Sequence, residues 1–104
     1  MANHPYGSER HRAACKVHCV TRLMQRYGVR DRRAGRSLCG KHRRAVMLGE
    51  SGFLGVRRKD GSEIHEVRDD GRSYFLAWDA ELRLVKTYLT EEQAYRTMGL
   101  TFLL

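Results

Sequence analysis

His18, Arg22 and Arg26 follow one another at intervals of four residues. At helical spacing such residues share a face, with neighbours about 5–6 Å apart at Cβ. An imidazole in a row with two guanidinium groups suits phosphate chemistry. A guanidinium grips phosphate through two N–H groups and stabilises charge that develops on it. An imidazole titrates near neutral pH and can move a proton. The simpler alternative is a solvated basic helix face with an incidental histidine.

A second group is Cys15-x-x-x-Cys19 with Cys39-x-x-His42. Each pair spans one helical turn. If their two helices pack antiparallel, the four soft ligands could converge on one zinc ion. Otherwise the three thiols are small hydrophobes at a helix–helix contact. Zinc is the one cofactor the sequence raises. A third group, Arg30-Asp31-Arg32-Arg33 and Lys41-His42-Arg43-Arg44, puts a basic rim on a second helix. Arg26, Arg32, Arg33, Lys41, Arg43 and Arg44 are therefore candidate phosphate contacts, whose binding would be strongly salt-dependent. A solvated charged face is the alternative.

Charge is distributed unevenly along the chain. Residues 1–58 carry fourteen Lys/Arg against three acids, and residues 59–104 carry six against nine. The formal total is +8. A cationic half beside a mildly acidic one indicates a built face, and its natural partner is a polyanion such as nucleic acid.

At 104 residues the expectation is one domain with a modest core. No run approaches the roughly 18 apolar residues of a membrane span. The first residues lack the apolar stretch of a secretory signal, so a cytoplasmic location is expected. Three cysteines, an odd number, argue against a disulfide framework. Residues 1–12 read as a flexible arm and 13–104 as the domain.

The elements that must position these groups follow from periodicity and turn chemistry. Ala13, Val17, Val20, Met24 and Tyr27 form an apolar stripe over residues 11–27, with Ser8 or Asn3 near the start and Gly28 as the stop. Asp31 caps a second helix over residues 32–48, weakened by Gly35 and Gly40 at about 1 kcal/mol each. Four short extended runs come next: 53–58, 63–68, 72–78 and 82–89, separated by Asp-Gly and acidic turns. Thr90-Glu91-Glu92-Gln93 is a capping box opening a helix over residues 91–98, and an apolar tail, 100–104, would dock on the body or on a partner. Tyr74 and Trp78 share a strand face, where they either stack on bases or pack a helix. The expected fold is α+β: two N-terminal helices on a four-stranded antiparallel meander, then a short helix.

The stretch His18-Cys19-Val20-Thr21-Arg22-Leu23-Met24-Gln25-Arg26-Tyr27-Gly28-Val29 resembles the first helix of small bacterial ribonuclease-toxin-like domains of the RelE/colicin/barnase-like group. A basic second helix, a meander and the late run Val85-Lys86-Thr87-Tyr88-Leu89 extend the likeness in element order. The resemblance implies a metal-independent endoribonuclease, in which the RNA 2′-hydroxyl attacks the adjacent phosphorus and leaves a 2′,3′-cyclic phosphate. It assigns His18 as acid/base, Arg22 as phosphate clamp and Thr87, on the sheet side of Val85 and Leu89, as a hydrogen-bond donor to phosphate. Arg72 and Lys86 would add cations from the strands, and His65 is a candidate second imidazole. An acidic antitoxin or immunity protein would then cover the basic face. Two readings from other classes accompany this one. The chain could be a non-catalytic phage- or mobile-element-encoded inhibitor acting on a host protein target in nucleic-acid machinery. It could also be a zinc-stapled nucleic-acid-binding module.

Overall fold

The computed structural model describes residues 4–99. The elements are α1 (Glu9–Tyr27), α2 (Arg32–Met47), β1 (Gly52–Val56), β2 (Glu63–Asp69), β3 (Arg72–Asp79), β4 (Leu84–Leu89) and α3 (Glu91–Thr97). The strands form one antiparallel sheet in the order β1-β2-β3-β4, so the fold is the expected α+β meander. Asn3 and the apolar tail at 100–104 lie outside the described residues.

Local chemistry sets the helix ends. The Ser8 hydroxyl accepts from the His11 amide at 3.2 Å, which starts α1 two residues earlier than its apolar stripe suggests. Gly28 ends it at φ +65°, a conformation a side chain resists. The Asp31 carboxylate accepts from the Ala34 amide at 2.8 Å and opens α2. Thr90 and Gln93 exchange hydrogen bonds at 3.2 and 2.9 Å, completing the capping box of α3. α2 runs unbroken through Gly35 and Gly40. At Gly35 the reason is packing: a Cβ there would lie 2.9 Å from Cγ1 of Val20, so α1 and α2 cross with glycine against valine.

The sheet has an apolar cluster on each face. On one, Cys19, Leu23 and Tyr27 of α1 pack with Trp78, Val85 and Tyr88. On the other, Ala94 and Met98 of the α3 region pack on Phe75, Ala77 and Leu89. Tyr74 and Trp78 are 7% and 4% exposed, so they are core side chains and not a base-stacking platform. The buried face of α1 is Cys19, Val20, Leu23 and Tyr27, rotated from the expected stripe, and Val17 is 59% exposed. Cys19 and Leu23 anchor the helix, and that rotation lays its basic row along the sheet edge.

β4 is an edge strand, and α1 covers it. Cys19 Sγ donates to the Val85 carbonyl at 3.1 Å, Arg26 to that of Tyr88 at 2.5 Å, and the Tyr27 hydroxyl to that of Leu89. The Tyr27 hydroxyl also accepts from the Phe75 amide at 3.0 Å, so it bridges β3 and β4 at the end of their ladder. The strand begins at Leu84, later than expected, because Asp79 accepts from the Leu82 amide at 2.8 Å and Arg83 turns at φ +55°. A register shift then separates Trp78↔Val85 from Ala77↔Thr87, leaving Lys86 as the extra residue of a bulge. Val85 consequently faces the α1 side. Thr87 goes with Ala77 and Leu89, correcting the expectation that Val85 and Thr87 share a face. Among the described residues no helix is long and apolar enough to cross a membrane.

Candidate functional site

His18 reaches over the β4 edge, and its Nε2 lies 2.9 Å from Oγ1 of Thr87. The bulge at Lys86 makes this meeting geometrically available, since it turns Thr87 away from Val85. Around the pair is a cavity of about 440 Å³, lined by His18, Arg22, Arg26, Thr87 and Leu89, with Arg57, Lys59 and Asp60 from the β1–β2 loop and Lys86 from the bulge. Five cations and one carboxylate thus surround one imidazole.

Each charged group is held differently. Arg22 donates to Gln25 Oε1 at 2.6 Å, and Arg26 spans to the Tyr88 carbonyl. Lys86 sits 2.6 Å from Asp60 Oδ2 and 3.0 Å from Ser62 Oγ, which fastens the β1–β2 loop to β4. Burial disfavours charge on Asp60, yet Lys86 and Ser62 outweigh it and hold the carboxyl well below the usual range. Asp60 is therefore ionised and committed to Lys86. Arg57 Nε is buried with no hydrogen-bond partner among the described residues. A buried donor in so cationic a cavity is satisfied by an anion or by water.

His18 is pushed below the ordinary histidine value, first by partial burial and then by the cations Arg22, Arg26 and Arg57. Its imidazole is therefore neutral near pH 7 and can accept a proton. Whether Nε2 donates to Thr87 or accepts from it depends on the tautomer, but either way the hydroxyl fixes the ring.

No family model, curated protein or solved structure matches this chain. The site is thus read from its own geometry.

That geometry sorts the residues raised by spacing and by the resemblance. His18, Arg22, Arg26, Lys86 and Thr87 meet in the cavity. Arg72 does not: its guanidinium carbon stacks 4.9 Å from the Tyr27 ring centre and 5.3 Å from that of Tyr74. His65 is also elsewhere, bonded to Ser51 Oγ at 2.7 Å and Glu63 Oε1 at 2.8 Å. Arg32 and Arg33 are exposed at the start of α2. Arg43 donates to the Arg83 carbonyl at 2.8 Å, and with Arg44 it lines a different depression.

The suggested zinc ligands are not gathered as a set. His42 is fully buried, with Nδ1 2.9 Å from the Tyr88 hydroxyl and Nε2 2.9 Å from Asp69 Oδ2. Lys41, though exposed, binds the other Asp69 oxygen at 2.6 Å, so its charge is paired with a carboxylate. Cys19 donates to the Val85 carbonyl and lies against Cys39, its neighbour across the two helices, while Cys15 Sγ lies 3.7 Å from His11 Nε2. Metal binding would require His42 to give up one of two buried hydrogen bonds. No group of three or more metal-ligating side chains is assembled among the described residues.

Arg57, Lys59 and Asp60 were not anticipated. The available signal was the run Arg57-Arg58-Lys59 leading straight into an Asp-Gly turn, which reads as loop chemistry until the loop is seen to fold back on Lys86.

Proposed function

We propose that the cavity binds single-stranded RNA and that His18 cleaves it without a metal, leaving a 2′,3′-cyclic phosphate. The observation that carries this reading is an imidazole, fixed by a threonine hydroxyl, inside a cavity lined by five cations. In the step envisaged, His18 takes the proton of the RNA 2′-hydroxyl on a ring nitrogen. The O2′–P bond forms, and Arg22, Arg26 and Arg57 stabilise the charge on the pentacoordinate phosphorus. The P–O5′ bond then breaks, O5′ takes a proton from water, and the hydroxide left behind takes the imidazolium's proton, which restores neutral His18. Asp60 takes no part as acid, because Lys86 keeps it ionised. DNA lacks the 2′-hydroxyl and would bind without being cut.

The test is cleavage of a mixed RNA at low salt in EDTA by the wild type and by His18→Ala. Cleavage by the wild type alone, with cyclic ends, supports the reading. Retained RNA binding with no cleavage by either protein leaves the non-catalytic alternative, a basic module acting on nucleic-acid machinery. The same concentration of positive charge suits an acidic protein partner, an antitoxin or immunity protein, competing with RNA for the cavity.

A further inference from the structure

A second basic depression, of about 400 Å³, lies between α1 and α2. Arg12, Lys16, Arg36, Arg43 and Arg44 line it, above a floor that includes Leu84 and Val85, and no acid lines it. Two of these cations are fixed by the fold: Arg12 donates to the Leu82 carbonyl at 3.3 Å and Arg43 to that of Arg83 at 2.8 Å. The side chains of Lys16, Arg36 and Arg44 make no hydrogen bond or ion pair among the described residues. Their charge is therefore uncommitted, unlike that of Lys41 or Lys86.

Gly40 also lines this groove. Glycine inside a helix weakens it, and at Gly35 close packing against Val20 explains the residue. At Gly40 packing explains nothing, since a Cβ would meet only Nη1 of Arg44, at 3.8 Å. What the missing side chain does provide is room among the groove's cations. A groove rimmed by five cations and lined by no acid matches the anionic backbone of a nucleic-acid strand.

The groove adjoins the His18 cavity. Cys15 in the groove precedes His18 by less than one helical turn, and Val85 in the groove precedes the bulged Lys86 of the cavity. Lys86 is near enough to Cys15 to act on its thiol. Along α1, Arg12 and Arg26 are about 21 Å apart at the helical rise of 1.5 Å per residue.

We infer that the α1–α2 groove is a second subsite for the same RNA strand, holding backbone phosphates beyond the one that is cleaved. This rests on the RNA reading of the His18 cavity and adds a minimum length to it: a dinucleotide fills the cavity, and only a longer strand reaches the groove.

The test is fluorescence anisotropy with labelled RNA in a His18→Ala background, so that no probe is cut. A 12-mer and a dinucleotide are compared for that protein, for Lys16→Gln/Arg36→Gln, and for Gly40→Glu, which favours the helix while filling the groove with an acid. Both groove variants are expected to lower affinity for the 12-mer about tenfold at low salt without a matching loss for the dinucleotide. The double variant is also expected to reduce the slope of log affinity against log salt by about 1.4, near 0.7 per lost contact. Equal losses for both probes, or no loss for the 12-mer, would overturn the subsite while RNA binding itself stands. Loss of affinity for a polyglutamate peptide with RNA affinity intact would overturn it too, in favour of an acidic protein. If the background protein binds neither RNA, the cavity reading falls and takes the subsite with it.

Discussion

Nε2 of His18 and Oγ1 of Thr87, from the first helix and the last strand, stand 2.9 Å apart at the edge of the sheet. Thr87 is the positioning residue in this pair, and His18 is the group that exchanges a proton. His18→Ala should lower kcat for RNA cleavage about 10²- to 10⁴-fold, the usual loss when a general base is removed. Thr87→Val should lower kcat with little change in KM, and Thr87→Ser should restore most of it. A Thr87→Val enzyme with full kcat would show that the hydroxyl orients nothing.

The pH dependence follows from the depressed His18. Only the neutral imidazole accepts the 2′-hydroxyl proton. Burial and the flanking arginines put its pKa below the ordinary 6.5. The rate kcat/KM should therefore rise with pH through an inflection below 6.5 and then level off. Removing one flanking cation, as in Arg57→Gln, should move that inflection upward toward the ordinary value. An inflection that stays put would separate His18 from the arginines electrostatically.

Lys86 and Asp60 should behave as a coupled pair. Lys86→Met leaves Asp60 ionised and unpaired in a cavity meant for an anion, so RNA affinity should fall further than in Lys59→Met. Adding Asp60→Asn to Lys86→Met should recover part of that loss, the signature of interacting sites in a double-mutant cycle. Strictly additive effects would mean that the 2.6 Å contact is not maintained in solution.

The elements were legible because their ends carry short-range chemistry. Ser8, Asp31 and the Thr90/Gln93 box each act within three residues, and Asp-Gly turns mark the hairpins, so helices, strands and order all follow from local spacing. The His18–Arg22–Arg26 row was legible for the same reason. What local patterns do not carry is the register across strands. Nothing in the alternation of β4 announces that Lys86 is an extra residue, yet that bulge decides where Thr87 points. Arg57 and Lys59 enter the cavity through a loop closed by Lys86, twenty-six residues on from Asp60. His42 illustrates the converse: its spacing from Cys39 suggested a metal ligand, whereas Asp69 and Tyr88, distant in sequence, claim both its nitrogens.

That buried network sets a pH limit on stability. Ionised Asp69 accepts only, so His42 Nε2 donates to it and Nδ1 accepts from Tyr88. Burial lowers the His42 pKa below 6.5 against the opposing pull of Asp69. The unfolded chain therefore binds a proton below about pH 6.5 that the folded chain refuses. Stability should fall as pH drops through 6.5, by at most about 1.4 kcal/mol per pH unit for this one group, until the folded pKa is reached. His18 adds a contribution of the same sign. Asp69→Ala should cost about 2 kcal/mol at neutral pH by orphaning a buried N–H. Urea midpoints from pH 4.5 to 7.5 check both, and an unchanged midpoint in Asp69→Ala would mean that water replaces the carboxylate.

The two glycines of α2 should respond to alanine in opposite directions. On helix propensity alone each substitution gains up to about 1 kcal/mol. At Gly35 the new methyl would lie 2.9 Å from Cγ1 and 3.6 Å from Cα of Val20. Val20 is β-branched, 2% exposed and unable to swing aside, so the helices must separate. Overpacking of this kind costs about 1–3 kcal/mol, and the net effect at Gly35 should be destabilising. At Gly40 the methyl meets nothing closer than 3.8 Å, so the propensity gain should survive and raise the midpoint. Gly40→Ala should thus be more stable than the wild type, which would show that glycine at this position serves the groove and not the fold. Destabilisation by Gly40→Ala would instead mean that α1 and α2 approach each other along their whole length and that no open groove lies between them.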